Sequence, residues 1–401
     1  MKNLLAIILL TAISLAASSQ QYGWTDISTN MPEQGSLSDI HVIGEEVWIS
    51  GGNDKVFYSP DGGVTFLIQD IPPQPGNAGI TSSIYMKNKD EGYVVTYSGE
   101  INKTDDGGTN WYLLHNPPGG LTSVHFPPNS NTGYTCGWGG KIWSFDDHSI
   151  TDLSVEGLTA DLLSIMFPED TLEGKLCGDS SIRRWLNSTW NNFQVFDNNF
   201  VYNSIFFTDN NTGWVVGSQG KIFKTIDATI WNPQMTGITN GLYDVFFIDT
   251  LEGWAAGVEI LLHTTDGGEN WTEVTPFDFT EKTMTALWFN SSTEGYMVSN
   301  KGNLYKYTDV SAIADDELEE LAFELYPNPC QDKITVRSSI LDSRSSIFEL
   351  IDITGKKIYE REMGRGGEGE MSVDVSHLPA GMYLVKLQTE EAVGVRKLIV
   401  Q

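Results

Sequence analysis

The stretch Thr104-Asp105-Asp106-Gly107-Gly108-Thr109-Asn110-Trp111 carries a complete local structure. A short carboxylate accepts hydrogen bonds from backbone N–H groups of its own turn, and glycine takes the positive φ that a tight reversal needs. The closing aromatic has a large apolar body to bury between neighbouring sheets. Ser59-Pro60-Asp61-Gly62-Gly63-Val64-Thr65-Phe66 and Thr264-Thr265-Asp266-Gly267-Gly268-Glu269-Asn270-Trp271 repeat the pattern, and Thr225 to Trp231 is a shortened version. The turn-forming positions are Asp61, Gly63, Phe66, Asp106, Gly108, Trp111, Asp266, Gly268 and Trp271, and their expected role is structural.

Outward from these turns the chain repeats itself. Gly92-Tyr93, Gly133-Tyr134, Gly213-Trp214, Gly253-Trp254 and Gly295-Tyr296 each follow an apolar strand and a polar turn. Gly174-Lys175 holds the same place, and Val47-Trp48 opens the series without the glycine. From Tyr93 the steps are 41, 41, 39, 40 and 42 residues, a period that marks a repeat architecture. Each period holds four strand-like pieces, which is the blade of a β-propeller. Seven units start near Ser38, Thr81, Leu121, Leu162, Val201, Leu242 and Met284. The seventh stops at Tyr307 without a fourth strand. Gly23-Trp24-Thr25-Asp26-Ile27 resembles Asn270-Trp271-Thr272-Glu273-Val274, so the N-terminal segment is expected to fill that place and close the ring. Closure removes an open sheet edge.

The turn motif resembles the Asp-box of sialidase-type propellers. With the Gly-aromatic element and a single seven-bladed ring, residues 21–310 look most like photosystem II assembly-factor-like (BNR-type) propellers and their non-photosynthetic relatives. That resemblance implies a protein-binding or scaffold role rather than a reaction.

Residues after Tyr307 are a different sequence type. An acidic linker is expected over 311–322. Leu325-Tyr326-Pro327-Asn328-Pro329 then opens a tryptophan-free region of short alternating strands, which fits a small Ig-like β-sandwich. Tyr326, Pro327, Asn328 and Pro329, the Asp352-x-x-Gly355-Lys356 turn, and Leu378-Pro379-x-Gly381-x-Tyr383 stand in order near the C-terminal end. Residues 323–401 thereby resemble the type A sorting domain of the type IX secretion system of Bacteroidota. The resemblance implies type IX secretion machinery as a partner, and release or surface attachment beyond the outer membrane. Residues 1–20 read as a signal peptide: Lys2, an apolar run from Leu4 to Leu15, then Ala16, Ala17, Ser18 and Ser19. The run is too short to span a bilayer, so no transmembrane anchor is expected.

An enzyme needs a catalytic constellation. A sialidase clamps its substrate carboxylate with three arginines, whose planar forks match that group. Before residue 337 the chain has only Arg183 and Arg184, and strand neighbours point to opposite faces. A glycosidase needs two acids across one sugar bond. Asp39, Asp161 and Asp244 lie near the starts of first strands and are the candidates for a pair on the axial face. That alternative, a secreted glycoside hydrolase, stands beside the main expectation of a binding or scaffold propeller for a protein or polysaccharide. His41, His115, His125, His148, His263 and His377 are scattered without metal-ligand spacing, and Asp105-Asp106 and Asp146-Asp147 match no calcium loop. No metal and no cofactor are expected, and a formal charge of −29 disfavours nucleic acid. Cys136 and Cys177 read as small buried groups. Trp138, Trp143, Trp185 and Trp288 fit the repeat less regularly and are the candidates for a binding surface.

Deleting residues 21–29 should sharply lower the melting temperature, because the seventh blade would lose its outer strand. An unchanged melt would refute closure by the N-terminal segment.

Overall fold

The computed structural model describes residues 23–52, 54–72, 80–168, 173–186, 189–194, 200–275, 277–308, 319–320, 323–338, 346–352, 357–363, 370–379, 381–388 and 392–401. Residues 1–22, where a signal peptide is expected, most of the expected linker, Gly355 and Lys356 lie outside them. Among the described residues no helix is long and apolar enough to cross a membrane.

The described part of residues 23–308 forms seven four-stranded antiparallel sheets. Their first strands are Leu37–Ile43, Thr81–Met86, Leu121–His125, Leu162–Met166, Tyr202–Phe207, Leu242–Phe247 and Met284–Ser291. Each packs against the first strands of the two neighbouring blades, and the seventh meets the first, so the ring closes. The seventh blade takes its outer strand, Trp24–Asp26, from the beginning of the chain, with Trp24 opposite Tyr307 and Asp26 opposite Tyr305. Trp24 is buried in edge contact with Trp254, at 5.6 Å between ring centroids.

The glycine before each aromatic has a packing cause. A β-carbon on Gly133, Gly213, Gly253 or Gly295 would collide with Phe126, Phe207, Phe247 or Phe289, the ring at the far end of the blade's own first strand. Blade 1 has Val47 at the glycine's place, opposite Val42, where blade 2 carries Met86 and blades 3 to 7 carry Phe.

The aromatic after the glycine reaches into the next blade. Trp48 Nε1 donates to the Gly107 carbonyl at 3.1 Å, Trp214 Nε1 to Gly267 at 3.0 Å, and Tyr296 Oη to Gly62 at 3.2 Å. Each acceptor is the first glycine of an eight-residue turn. In those turns Asp106 Oδ1 accepts from Asn110 N–H at 2.8 Å and from Thr104 Oγ1 at 2.9 Å, while Thr104 Oγ1 accepts from Gly108 N–H at 2.8 Å. Asp61 and Asp266 make the same bonds with Thr65 and Asn270. Trp111 is buried against blade 1, whereas Phe66 and Trp271 are half-buried.

The C-terminal region contains a five-stranded sheet with strands Ser346–Asp352, Lys357–Met363, Gly381–Gln388 and Ala392–Val400, and a three-stranded sheet of Glu324–Tyr326, Lys333–Arg337 and Glu370–Asp374. Phe348, Leu350, Val385, Leu387 and Leu398 from the first meet Ile334, Val336 and Val373 from the second in one core. The fifth strand of the larger sheet is Glu319–Glu320, which pairs in parallel with Ala392–Val393. The expected linker over 311–322 therefore ends in a strand, because exposed backbone at the sheet edge pairs regardless of acidic side chains.

Replacing Tyr296 by Phe keeps the ring and removes its donor, which should cost about 1 kcal/mol in urea unfolding. Gly108→Ala should cost more. Gln69 can swing away from the added carbon, but the φ of +93° stays strained for any residue with a side chain. Gly108→Ala no more costly than Tyr296→Phe would contradict this account of the turn.

Candidate functional site

Seven corresponding triplets line the axis of the ring. They are Asp39-Ile40-His41, Ser83-Ile84-Tyr85, Ser123-Val124-His125, Ser164-Ile165-Met166, Ser204-Ile205-Phe206, Asp244-Val245-Phe246 and Ala286-Leu287-Trp288. The cavity they surround has a volume of about 340 Å³. The first members form a layer of short polar groups, broken only by Ala286. The last members form a collar of aromatic and soft side chains.

The polar layer ties blade to blade. Asp39 Oδ2 accepts from Ile84 N–H at 3.0 Å and from Ser83 Oγ at 2.8 Å. Ser83, Ser123 and Ser164 accept from the backbone N–H of Val124, Ile165 and Ile205 at 3.3–3.4 Å. Asp244 Oδ2 accepts from Leu287 N–H at 2.7 Å, while its Oδ1 accepts from Ser204 Oγ at 2.7 Å. One position earlier in the strand, Ser82, Thr122, Asn203 and Thr285 donate to the carbonyls of Leu121, Leu162, Leu242 and Leu37 in the next blade.

Of the three acids read as axial candidates, Asp39 and Asp244 line the cavity and Asp161 does not. Asp161 instead accepts from Gly139 N–H at 2.7 Å, in a loop of blade 3. Burial raises the pKa of both axial carboxyls, that of Asp244 to about 7, with backbone and serine hydrogen bonds opposing the shift.

The collar is continuous. Trp288 stacks on His41 with centroids 4.1 Å apart, His41 meets Tyr85 at 5.0 Å, and Tyr85 meets His125 at 5.0 Å. Phe206 and Phe246 are 4.8 Å apart, and Phe246 and Trp288 are 5.7 Å apart. Met166 fills the remaining place and its Sδ takes the Phe207 N–H at 3.2 Å, as His125 Nδ1 takes the Phe167 N–H at 3.3 Å. Burial pulls the pKa of His41 down to about 3 and that of His125 to about 4, so both rings are neutral at pH 7. His41 and His125, scattered in the linear reading, occupy the same repeat position two blades apart.

The four tryptophans proposed as a surface separate. Trp143 is buried in the core between blades 2 and 3 and offers no binding face, whereas Trp185 is half-buried and packs against Trp190 at 5.3 Å. Both sit on third strands, where the blades pack face to face. Trp288 is half-buried on the collar. Trp138 is 45% exposed and lies parallel to Tyr97, with centroids 5.2 Å apart. A wider groove of about 830 Å³ runs between blades 1 and 2, along the Asp106–Trp111 turn. Its wall combines that turn with exposed Leu67 and Ile68 and with the Glu46–Lys89 ion pair.

The acidic pairs are turn and brace residues. Lys103, almost fully buried, lies 2.9 Å from both Asp105 and Asp147. Asp146 Oδ1 accepts from His148 and Ser149 N–H groups. Among the described residues no cluster of His, Cys, Asp and Glu fits a metal ion. Cys136 and Cys177 are free and buried. In the C-terminal sandwich, exposed Asn328 donates through Nδ2 to the Lys397 carbonyl at 2.6 Å and accepts from Ile399 N–H at 2.9 Å. Tyr326 Oη bonds Glu370, Tyr383 Oη bonds the Pro379 carbonyl at 2.8 Å, and Leu378 packs on the core. Pro327, Pro329 and Gly381 are exposed, and Asp352 pairs with Tyr383 in the sheet.

Fold and motifs define a BNR-type β-propeller followed by a secretion sorting domain. Residues 182–320 match the family described as photosynthesis system II assembly factor YCF48, and residues 324–401 match the secretion system C-terminal sorting domain. Over 112 residues the chain is 36% identical to the photosystem II assembly lipoprotein Ycf48 of Synechococcus sp. (strain CC9902), a stretch that is 26% of this chain and 32% of that protein. The chain thus spans about a third of the length of the curated relative it matches. Among solved structures, YCF48 from Cyanidioschyzon merolae aligns with a TM-score of 0.58 at 17% identity, over 71% of this chain and 98% of that one. YCF48 bound to D1 peptide aligns at 0.60 and 19% identity, over 71% and 97%. The WD40 β-propeller domain of Doa1 aligns at 0.58 and 13% identity, over 69% and 94%. At these identities the likeness establishes the fold.

The collar predicts an acid-sensitive stability. The unfolded chain protonates a histidine near pH 6.5, and folded His125 resists until about pH 4. His125 therefore contributes stability above pH 6.5 that is lost as pH falls toward 4, up to roughly 3 kcal/mol. Asp244 acts in the opposite sense: its contribution is present at low pH and is lost as pH rises through about 7. His125→Met copies the blade 4 solution. It should fold and should show a smaller loss of melting temperature between pH 6.5 and 4 than the unaltered protein; an identical loss would refute the assignment.

Proposed function

We propose that the chain is an exported binding protein, held at the cell surface or released, whose propeller takes a protein or polysaccharide ligand without transforming it. The observation that carries this reading is the state of the two axial carboxylates. Each accepts three hydrogen bonds, two of them from the backbone, and each braces one blade against the next. Groups committed in this way serve the ring. The C-terminal sorting domain supports export, together with the apolar N-terminal run. A propeller of the same fold has been solved as YCF48 bound to D1 peptide, which favours a polypeptide over a glycan as the ligand class.

One observation favours a second reading, a secreted glycoside hydrolase. A carboxyl raised to about 7 suits a general acid, and Asp244 has that property. Peptide-array and glycan-array binding, run beside an assay for released reducing sugar, separates the two. Saturable binding without sugar release is the expected result. Turnover that disappears in Asp244→Asn would establish the hydrolase instead.

A further inference from the structure

The axial cavity holds two carboxylates and no positive charge of its own. Some acids elsewhere in the propeller are paired with cations, as Asp105 and Asp147 are with Lys103, Glu294 with Lys306 at 3.0 Å, and Glu33 with Lys55 at 2.6 Å. Among the described residues, no lysine or arginine lines the cavity. Buried carboxylates without a counter-charge are costly, and proteins otherwise pair them. Each of these has about four acceptor positions and uses three, so each retains capacity for a further donor.

Their placement around the ring is uneven. Asp244 and Asp39 belong to blades 6 and 1, and blade 7 lies between them. Blade 7 contributes Ala286 to the polar layer, the smallest group there, and Trp288 to the collar, the largest aromatic. The flanking collar members are Phe246 and His41, both in ring contact with Trp288. Three neighbouring blades thus bring two carboxylates and two aromatic faces to the same cavity, with a neutral imidazole completing the wall.

We propose that this sector of the axial cavity, bounded by Asp39, Asp244, Phe246 and Trp288, is a receptor for a single organic cation, such as an ammonium-bearing side chain presented by a polypeptide ligand. The proposal rests on the reading of the propeller as a binding module and adds the chemistry of what it binds. Aromatic faces attract cations through their quadrupoles, most strongly when water is excluded, and tryptophan is the best of them. The carboxylates supply the charge that a neutral aromatic collar lacks. A volume of about 340 Å³ is ample for one side chain or one quaternary ammonium group. Burial raises both carboxyl pKa values, that of Asp244 to about 7, and a cation seated between them would favour their charged forms.

The test titrates the full chain with choline and with 3,3-dimethylbutan-1-ol, which has the same shape and no charge, by calorimetry. Choline should bind, and the neutral alcohol should bind at least about tenfold more weakly, the scale of a desolvated cation–π contact. Trp288→Leu keeps an apolar side chain and removes the π face. It should weaken choline about tenfold and leave the alcohol unchanged, with melting temperature reporting that the ring remains folded. Trp138→Ala, at an exposed aromatic away from the cavity, should change neither. Equal affinity for the two probes, no binding of choline, or indifference to Trp288→Leu would overturn the proposal. The broader reading fails separately. A peptide ligand from the array whose binding ignores excess choline refutes the cation site and leaves the binding protein standing. Choline binding with no macromolecular ligand on either array does the reverse.

Discussion

The propeller depends on how its innermost strands are satisfied. A first strand has one sheet partner, and its other edge faces the axis with unpaired N–H and C=O groups. Leaving such groups buried and unpaired costs roughly 1–3 kcal/mol each. Here the side chains of the preceding blade complete the edge. Asp39, Ser83, Ser123, Ser164 and Asp244 take N–H groups, and Ser82, Thr122, Asn203 and Thr285 take carbonyls. Because each bond runs from one blade to the next, the same device that satisfies the backbone also sets the blades' angular order.

This arrangement shapes the cavity. Side chains that reach a neighbouring backbone must be short and polar, so the layer is built of serine and aspartate. Short groups leave space at the axis, and larger groups one step along the strand narrow it into a collar. Either serine or aspartate makes the bracing bond. Only aspartate adds charge, and it occurs on both sides of blade 7. Structural need therefore explains an acceptor at Asp39 and Asp244, while serine making the same bond in blades 2 to 4 shows that the charge is surplus to that need.

The repeat, the blade count and the turn chemistry were legible in the sequence because they rest on local causes: glycine at positive φ, a carboxylate over its own turn, an aromatic at a fixed step. The partnership between motifs was not. Trp48 and Gly107 are 59 residues apart, and only the ring brings the aromatic of one blade to the turn of the next. Irregular spacing misled in the case of Trp143, which is a core residue. Trp288 stands in a blade that lacks the polar layer residue of its neighbours. The collar was present in the sequence as the third member of seven aligned triplets. It went unread because His, Tyr, Met, Phe and Trp share no chemistry until they are seen around one axis.

Charge is distributed in a way that bears on the axis. Residues 21–308 contain 13 Lys and Arg against 35 Asp and Glu, whereas residues 323–401 contain 10 against 12. Several of the propeller's few cations are spent as braces, Lys103 between three acids and Lys306 against Glu294 and the Gly62 carbonyl. The ring therefore carries a strongly negative field that its own lysines do not cancel. Clefts with low-dielectric walls focus such a field. An aromatic-walled cavity with two carboxylates at its layer of short side chains is where that field meets a surface able to hold a cation. The sorting domain, nearly neutral, adds little to it, so attraction of a positive ligand is a property of the propeller itself.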